Sequence, residues 1–98
     1  MKLSDLDATF RTYKGGSLGK VAHFREAQGV LFQCPMPEHT HMILVWFHDR
    51  KVPDEAEPKV RWHHGGTGIH DLTLSPSIDC TGSDPTCFHG RITNGQVV

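Results

Sequence analysis

The sequence predicts a mainly β fold: a small, single, antiparallel β domain over residues 1–98, stabilised by a zinc ion. Two observations predict the β class, namely about six short strand-like segments and the glycine-, proline- and asparagine-rich turns between them. A third observation concerns size. Ninety-eight residues that are 37% hydrophobic and include ten glycines and six prolines build a modest core, so a stabilising metal or partner is expected.

The first quarter of the chain is expected to hold a short helix, a turn and a strand. Residues 4–10 are expected to begin a helix, because Leu6 and Phe10 lie four positions apart on one face. The composition of residues 13–17 predicts a turn, and the alternation in residues 20–25 predicts a strand.

The remaining chain alternates expected strands with turns. Residues 48–58, which carry both signs of charge and two prolines, are expected to form a solvated excursion between strands. Asn94 and Gly95 predict a tight turn between two very short strands. The expected strands are residues 29–33, 41–47, 59–63 and 72–75 and the two halves of 91–98.

The apolar run Met42–Phe47 predicts a central strand with both faces covered, since large side chains alternate to both sides. The run is far too short to span a membrane. Ten Lys and Arg against eleven Asp and Glu supply no broad field for nucleic acid or anionic lipid. We therefore expect a soluble, intracellular protein whose partner is another protein, not nucleic acid or a membrane.

Cysteine and histidine supply the candidate chemistry: the chain has three cysteines and eight histidines. Because an intracellular chain seldom relies on disulfides, metal ligation is the first hypothesis. Zinc sites often take two close ligand pairs from two loops. The first pair is Cys34 with His39 or His41, and the second is Cys87 with His89. A free buried cysteine among scattered surface histidines is the alternative.

Such a zinc ion is expected to be structural. A catalytic zinc keeps three protein ligands and an open position for water. Glu38, beside His39, could serve as a base, but it lacks the helical spacing of a His-Glu-x-x-His motif. Two cysteines and two histidines would close the coordination shell, so we expect a protein that is not an enzyme. Cys80 is expected to be an unpaired thiol, with a role as alternate ligand left open.

A second histidine group, His63, His64 and His70, lies in a glycine-rich segment. Asp71 either orients His70 in an active-site cluster or caps a turn in an exposed loop. The glycines lack the pattern of a P-loop or a dinucleotide fingerprint, so nucleotide binding has little support.

Four segments carry a resemblance to a known family. Residues 71–78 read DLTLSPSI and residues 87–95 read CFHGRITNG, while residues 1–6 and 27–32 also match. The chain resembles a family of small phage- and prophage-encoded proteins of unknown function. The resemblance implies a zinc site made of Cys34, His41, Cys87 and His89, with His39 as rival to His41. Pro37 stands where the family tends to have the second cysteine of a Cys-Pro-x-Cys motif.

Three functions follow as expectations. The first is a phage-type accessory protein that binds a host or phage protein and carries structural Zn²⁺. The second is a minor virion component of the head or tail, and the third is a metal-dependent hydrolase. The expected location is the host cytoplasm or the phage particle.

Overall fold

The computed structural model describes residues 1–82 and 85–98. No helix of seven or more residues occurs in these ranges, where two 3₁₀ helices, Leu3–Leu6 and Phe24–Glu26, accompany the strands. The mainly β class is confirmed. The strands are β1 Thr9–Lys14, β2 Ser17–Val21, β3 Gly29–Gln33, β4 Met42–Phe47, β5 Arg61–Gly65, β6 Thr73–Ser75, β7 Ile78–Asp79, β8 His89–Gly90, β9 Ile92–Thr93 and β10 Gln96–Val97.

Six of these strands form one sheet in the order β2-β1-β3-β4-β5-β6, and β7–β8 and β9–β10 form two small hairpins. Neighbouring strands are antiparallel except β4 and β5, which run parallel where Trp46 faces Arg61 and Phe47 faces Trp62. A parallel pair needs a connection of about a dozen residues. The chain between β4 and β5 is long enough to make it.

The start of the chain differs from the prediction for it. The expected helix over residues 4–10 is a single 3₁₀ turn, because Asp7 takes a left-handed φ of 51° that ends it, and β1 then begins at Thr9. The strand expected at residues 20–25 is the end of β2, which stops at Val21. The strand prediction for residues 29–33 matches β3, and the Asn94-Gly95 turn between β9 and β10 is confirmed.

Strand β4 is central, as predicted, because β3 and β5 lie on either side of it. The side chains of Ile43, Val45 and Phe47 are buried in the core and Trp46 is fully buried, but Met42 is 43% exposed. The prediction that both faces of β4 are covered is therefore wrong at Met42. The physical reason is that Met42 lines a surface cavity, together with Ile43 and Leu44, so solvent reaches its side chain.

The connection from β4 to β5 is anchored more firmly than its composition predicts. The Arg61 guanidinium donates hydrogen bonds to the carbonyl oxygens of Pro53 at 2.8 Å and Pro58 at 2.7 Å. The indole Nε1–H of Trp46 donates to the Glu57 carbonyl at 2.9 Å. Side-chain donors thus replace the partners that a solvated loop would find in water.

Across the described residues, no helix has the length and apolar character needed to cross a membrane.

The loop after β5 is closed by the Asp71 carboxylate. It accepts hydrogen bonds from the backbone N–H of Thr67 at 2.9 Å, the Thr67 hydroxyl at 2.9 Å and the N–H of Gly68 at 2.8 Å. These donors, above all Thr67, hold the pKa of Asp71 below its ordinary value. Asp71 therefore caps a turn, which was one of its two expected roles.

We predict that Gly29→Ala destabilises the fold. A Cβ at Gly29 would lie 2.5 Å from the Val45 carbonyl oxygen and 2.7 Å from Cε3 of Trp46. Overpacking of this kind costs about 1–3 kcal/mol, which lowers the melting temperature by about 4–8 °C per kcal/mol in a domain of this size. Gly65→Ala is the matched control in β5, because nothing lies within 4 Å of its Cβ position. Equal melting temperatures for the two variants would contradict this prediction.

We also predict that Asp71 contributes a stability that acid removes. Because its folded-state pKa is lowered, the contribution is present above the unfolded-state pKa and is lost as pH falls through the folded-state value. Asp71→Asn should therefore melt below wild type at neutral pH, with the gap closing towards pH of about 2. The measurement is a melting series for both proteins over this range. A gap that stays constant with pH would contradict the prediction.

Candidate metal centre

Four side chains converge at one end of the β3–β4 hairpin: Cys34, His39, His41 and Cys87. One donor atom from each lies within 4.8 Å of the donor atoms of the other three. Cys34 and Cys87 are buried at 3% and 7% exposure, whereas the two histidines lie nearer the surface. Four nitrogen and sulfur donors at this separation are close enough to hold one metal ion.

The individual distances define a chain of donor contacts. The Cys34 sulfur lies 3.8 Å from Nδ1 of His39. Nδ1 of His39 lies 3.2 Å from Nε2 of His41, and that nitrogen lies 3.5 Å from the Cys87 sulfur. The donor atoms are therefore Nδ1 of His39 and Nε2 of His41. Sequence reasoning left these histidines as rivals, but the structure brings both into the group.

The β3–β4 ladder positions the three donors that lie between these strands in the chain: Cys34, His39 and His41. Beyond the strands, the N–H of Cys34 donates to the His41 carbonyl at 3.0 Å, which continues the pairing by one step. The N–H of His39 donates to the Met36 carbonyl at 3.0 Å and so turns the chain back on itself. The proline-rich connection is thus a short turn that carries three potential ligands.

The second nitrogen of each histidine also has a partner. Nε2 of His39 lies 3.1 Å from the Thr86 hydroxyl, and Nδ1 of His41 lies 3.4 Å from the Met42 carbonyl. Such partners orient a metal-binding imidazole and fix its tautomer. Thr86 was not predicted, because a hydroxyl next to Cys87 in sequence gives no sign that it faces His39.

The state of Cys80 differs from the prediction. Cys80 was expected to be an unpaired thiol, but it forms a disulfide with Cys87, with the two Cα atoms 5.6 Å apart. The reason is the β7–β8 hairpin, which brings the two cysteines together. Cys34 is the free cysteine among the described residues. Cys87 therefore belongs both to this disulfide and to the four-donor group.

The predicted ligand His89 lies outside the four-donor group. It begins β8 opposite Asp79, and its side chain is exposed. Residues two apart share a face only in an extended strand, and the chain bends at Cys87, so this spacing does not bring His89 to the site. Glu38 is exposed and is also outside the group.

The second histidine group forms no comparable site in the described residues. His64 packs edge-on against Phe24 and lies 4.9 Å from the Phe47 ring by centroid distance. Burial, followed by the charge of Arg50, lowers the pKa of His64. A neutral imidazole between two aromatic rings has a packing role. Asp71, which closes its own turn, is engaged with Thr67 and Gly68, as described above.

Comparison with protein-family models, with curated proteins and with solved structures finds no match to this chain.

Proposed function

We propose that the chain is a small β domain that holds a structural Zn²⁺ ion and acts by binding another protein. The ion is held by Cys34, His39, His41 and the reduced form of Cys87. The observation that carries the zinc assignment is the spacing of the four donors.

Three of the six donor separations come close to those of a tetrahedral zinc shell, and the other three are at most 4.8 Å. Zinc lies about 2.05 Å from nitrogen and about 2.3 Å from sulfur, so its ligands are separated by about 3.3 Å (N–N), about 3.6 Å (N–S) and about 3.8 Å (S–S). The His39–His41 distance is 3.2 Å and the His41–Cys87 distance is 3.5 Å. Cys34 and His39 are 3.8 Å apart, so small side-chain movements would complete the shell.

The donor types favour zinc and a structural role. Thiolate and imidazole ligands together suit zinc better than magnesium or calcium, which prefer oxygen. Two cysteines and two histidines fill a tetrahedral shell and leave no position for a substrate. Binding such an ion stabilises the fold, because the four donors converge only in the folded chain.

A groove beside β4 supports the protein-binding role. Among the described strands, β4 pairs with β5 only at Trp46 and Phe47, so its Met42 end has a partner on the β3 side only. A cavity of about 660 Å³ lies along this end, with Ile78 and Asp79 among its lining residues. An open strand edge with a groove beside it can accept an extended segment of a partner as an added strand.

The phage assignment is supported by the resemblance of residues 71–78 and 87–95 to phage-encoded proteins. With this assignment, we expect the protein in the host cytoplasm or in the phage particle. A reducing cytoplasm would keep Cys87 out of the disulfide and so available as a ligand.

A metal-dependent hydrolase is the second candidate, and one observation favours it. With Cys87 in the disulfide, three donors remain, namely Cys34, His39 and His41. Three protein ligands and an open position are the pattern of a catalytic zinc. This candidate requires the oxidised chain to keep its metal.

We predict that the reduced chain binds one zinc ion and that Cys34→Ser weakens binding by more than about 100-fold, since loss of an outer-shell partner alone costs about 10- to 100-fold. The melting temperature of the variant should fall to that of chelated wild type, because the metal stabilises only the folded chain. Competition with a chromogenic chelator and thermal melts measure both effects.

His89→Ala is the matched control for this test, because His89 lies outside the four-donor group. It should bind zinc as wild type does. A melting temperature of reduced wild type that does not change on chelation would overturn the structural-zinc assignment. Hydrolytic activity of the oxidised, zinc-loaded chain would favour the hydrolase instead.

We predict that Met42→Glu weakens partner binding at least about tenfold, because a carboxylate at the groove must be desolvated when a partner covers it. Leu18→Glu is the matched control: Leu18 is also 43% exposed, but it lies in β2, at the far edge of the sheet. The measurement is titration of each variant with partners recovered by crosslinking to wild type. Equal loss in both variants would exclude the groove as the binding surface.

A further inference from the structure

The sulfur of Cys87 lies within reach of two different bonding partners. It is bonded to the Cys80 sulfur, and it also lies 3.5 Å from Nε2 of His41 within the four-donor group. Metal ligation requires the thiolate form of cysteine. A disulfide-bonded sulfur does not carry the negative charge of a thiolate. The bond from Cys87 to Cys80 and a bond from Cys87 to a metal ion therefore exclude each other.

The backbone keeps Cys80 beside Cys87 without help from the sulfur–sulfur bond. Strands β7 and β8 pair at Ile78 with Gly90 and at Asp79 with His89. The N–H of Cys80 then donates to the Phe88 carbonyl at 3.0 Å, which extends the ladder towards Cys87. Reduction of the disulfide would leave this hairpin in place, so the Cys80 thiol would stay near the metal centre.

Small reagents have a route to both sulfurs. Cys80 and Cys87 line the cavity of about 660 Å³ beside β4, and His41 lines it as well. A disulfide of low molecular mass can therefore reach the Cys80 thiol from the cavity. Cys34, by contrast, is 3% exposed and does not line this cavity.

We propose that Cys87 exchanges between the metal and Cys80, so that oxidation of the chain releases the metal ion. This regulation concerns the same site as the proposed function and rests on it. The oxidant is a low-molecular-mass disulfide of the glutathione class. Cys80 is the exchange partner that competes with the metal for Cys87.

The exchange balances as two thiol–disulfide steps. The thiolate of Cys80 attacks one sulfur of the small disulfide, forms a mixed disulfide and releases one small thiolate. The Cys87 sulfur leaves the metal and attacks the Cys80 sulfur, which forms the Cys80–Cys87 bond and releases a second small thiolate. The chain loses two electrons, the small disulfide gains them, solvent protons protonate the released thiolates, and the ion leaves as Zn²⁺.

The test starts from the full reduced chain loaded with one equivalent of zinc and treated with oxidised glutathione. Released zinc is followed with a chromogenic chelator, and intact mass follows formation of the internal disulfide. We expect one zinc ion to be released for each Cys80–Cys87 bond formed, and the oxidised chain to bind zinc more than about 100-fold more weakly. Reduction should restore binding.

Cys80→Ser isolates the role of the exchange partner, since it keeps all four donors and removes the competing thiol. The reduced variant should bind zinc as wild type does and should release it at least about tenfold more slowly on oxidation. Release at the wild-type rate would overturn the proposal. Retention of zinc by wild type after the internal disulfide has formed would also overturn it.

Zinc binding by the reduced chain distinguishes failure of the proposed function from failure of the exchange proposal. If the reduced wild-type chain binds no zinc, the proposed function fails and the exchange proposal fails with it. If the reduced chain binds zinc but oxidation does not release it, only the exchange proposal fails. Wild type alone, compared before and after oxidation, gives this answer even if Cys80→Ser does not fold.

Discussion

The register of β3 against β4 is the constraint on which the rest of the structure depends. It sets Phe32 opposite Ile43, and both side chains are buried in the core. A slip of one residue would turn every core side chain of the hairpin to the opposite face. The same register, carried one step further, pairs Cys34 with His41 through a backbone hydrogen bond of 3.0 Å. Core packing and the placement of two potential metal donors are therefore fixed together.

Two buried cysteine sulfurs lie close together, and one of them, the sulfur of Cys87, has two bonding alternatives. Cys34 and Cys87 are at most 7% exposed, and their sulfurs lie within 4.8 Å of each other. Ligation of one divalent cation by both sulfurs would offset the repulsion between two thiolates, whereas the disulfide to Cys80 withdraws Cys87 from ligation. The position of Cys87 between these two alternatives is the central chemical feature of the site.

Local features of the fold could be predicted from the sequence, but contacts between distant segments could not. The apolar segment of β3 and the Asn94-Gly95 turn each have a sequence signal that spans only a few residues, so both were predicted correctly. The parallel pairing of β5 with β4 depends on the path of the intervening chain, which periodicity does not report. The same holds for the site: the bend at Cys87 excludes His89, and the hairpin that pairs Cys80 with Cys87 becomes visible only when β7 and β8 are paired.

The candidate metal centre and the groove beside β4 share a wall. His41, Cys80 and Cys87 all line the groove, and the β7–β8 hairpin leads to both cysteines while its Ile78 and Asp79 line the groove further along. When Cys87 changes its bond, a side chain that a docked segment would contact changes its position and charge. A partner that binds one of the two forms better must, by linkage, favour that form in return. If a partner segment docks at the open edge of β4 as proposed, its affinity would therefore depend on the bonding state of the Cys87 sulfur.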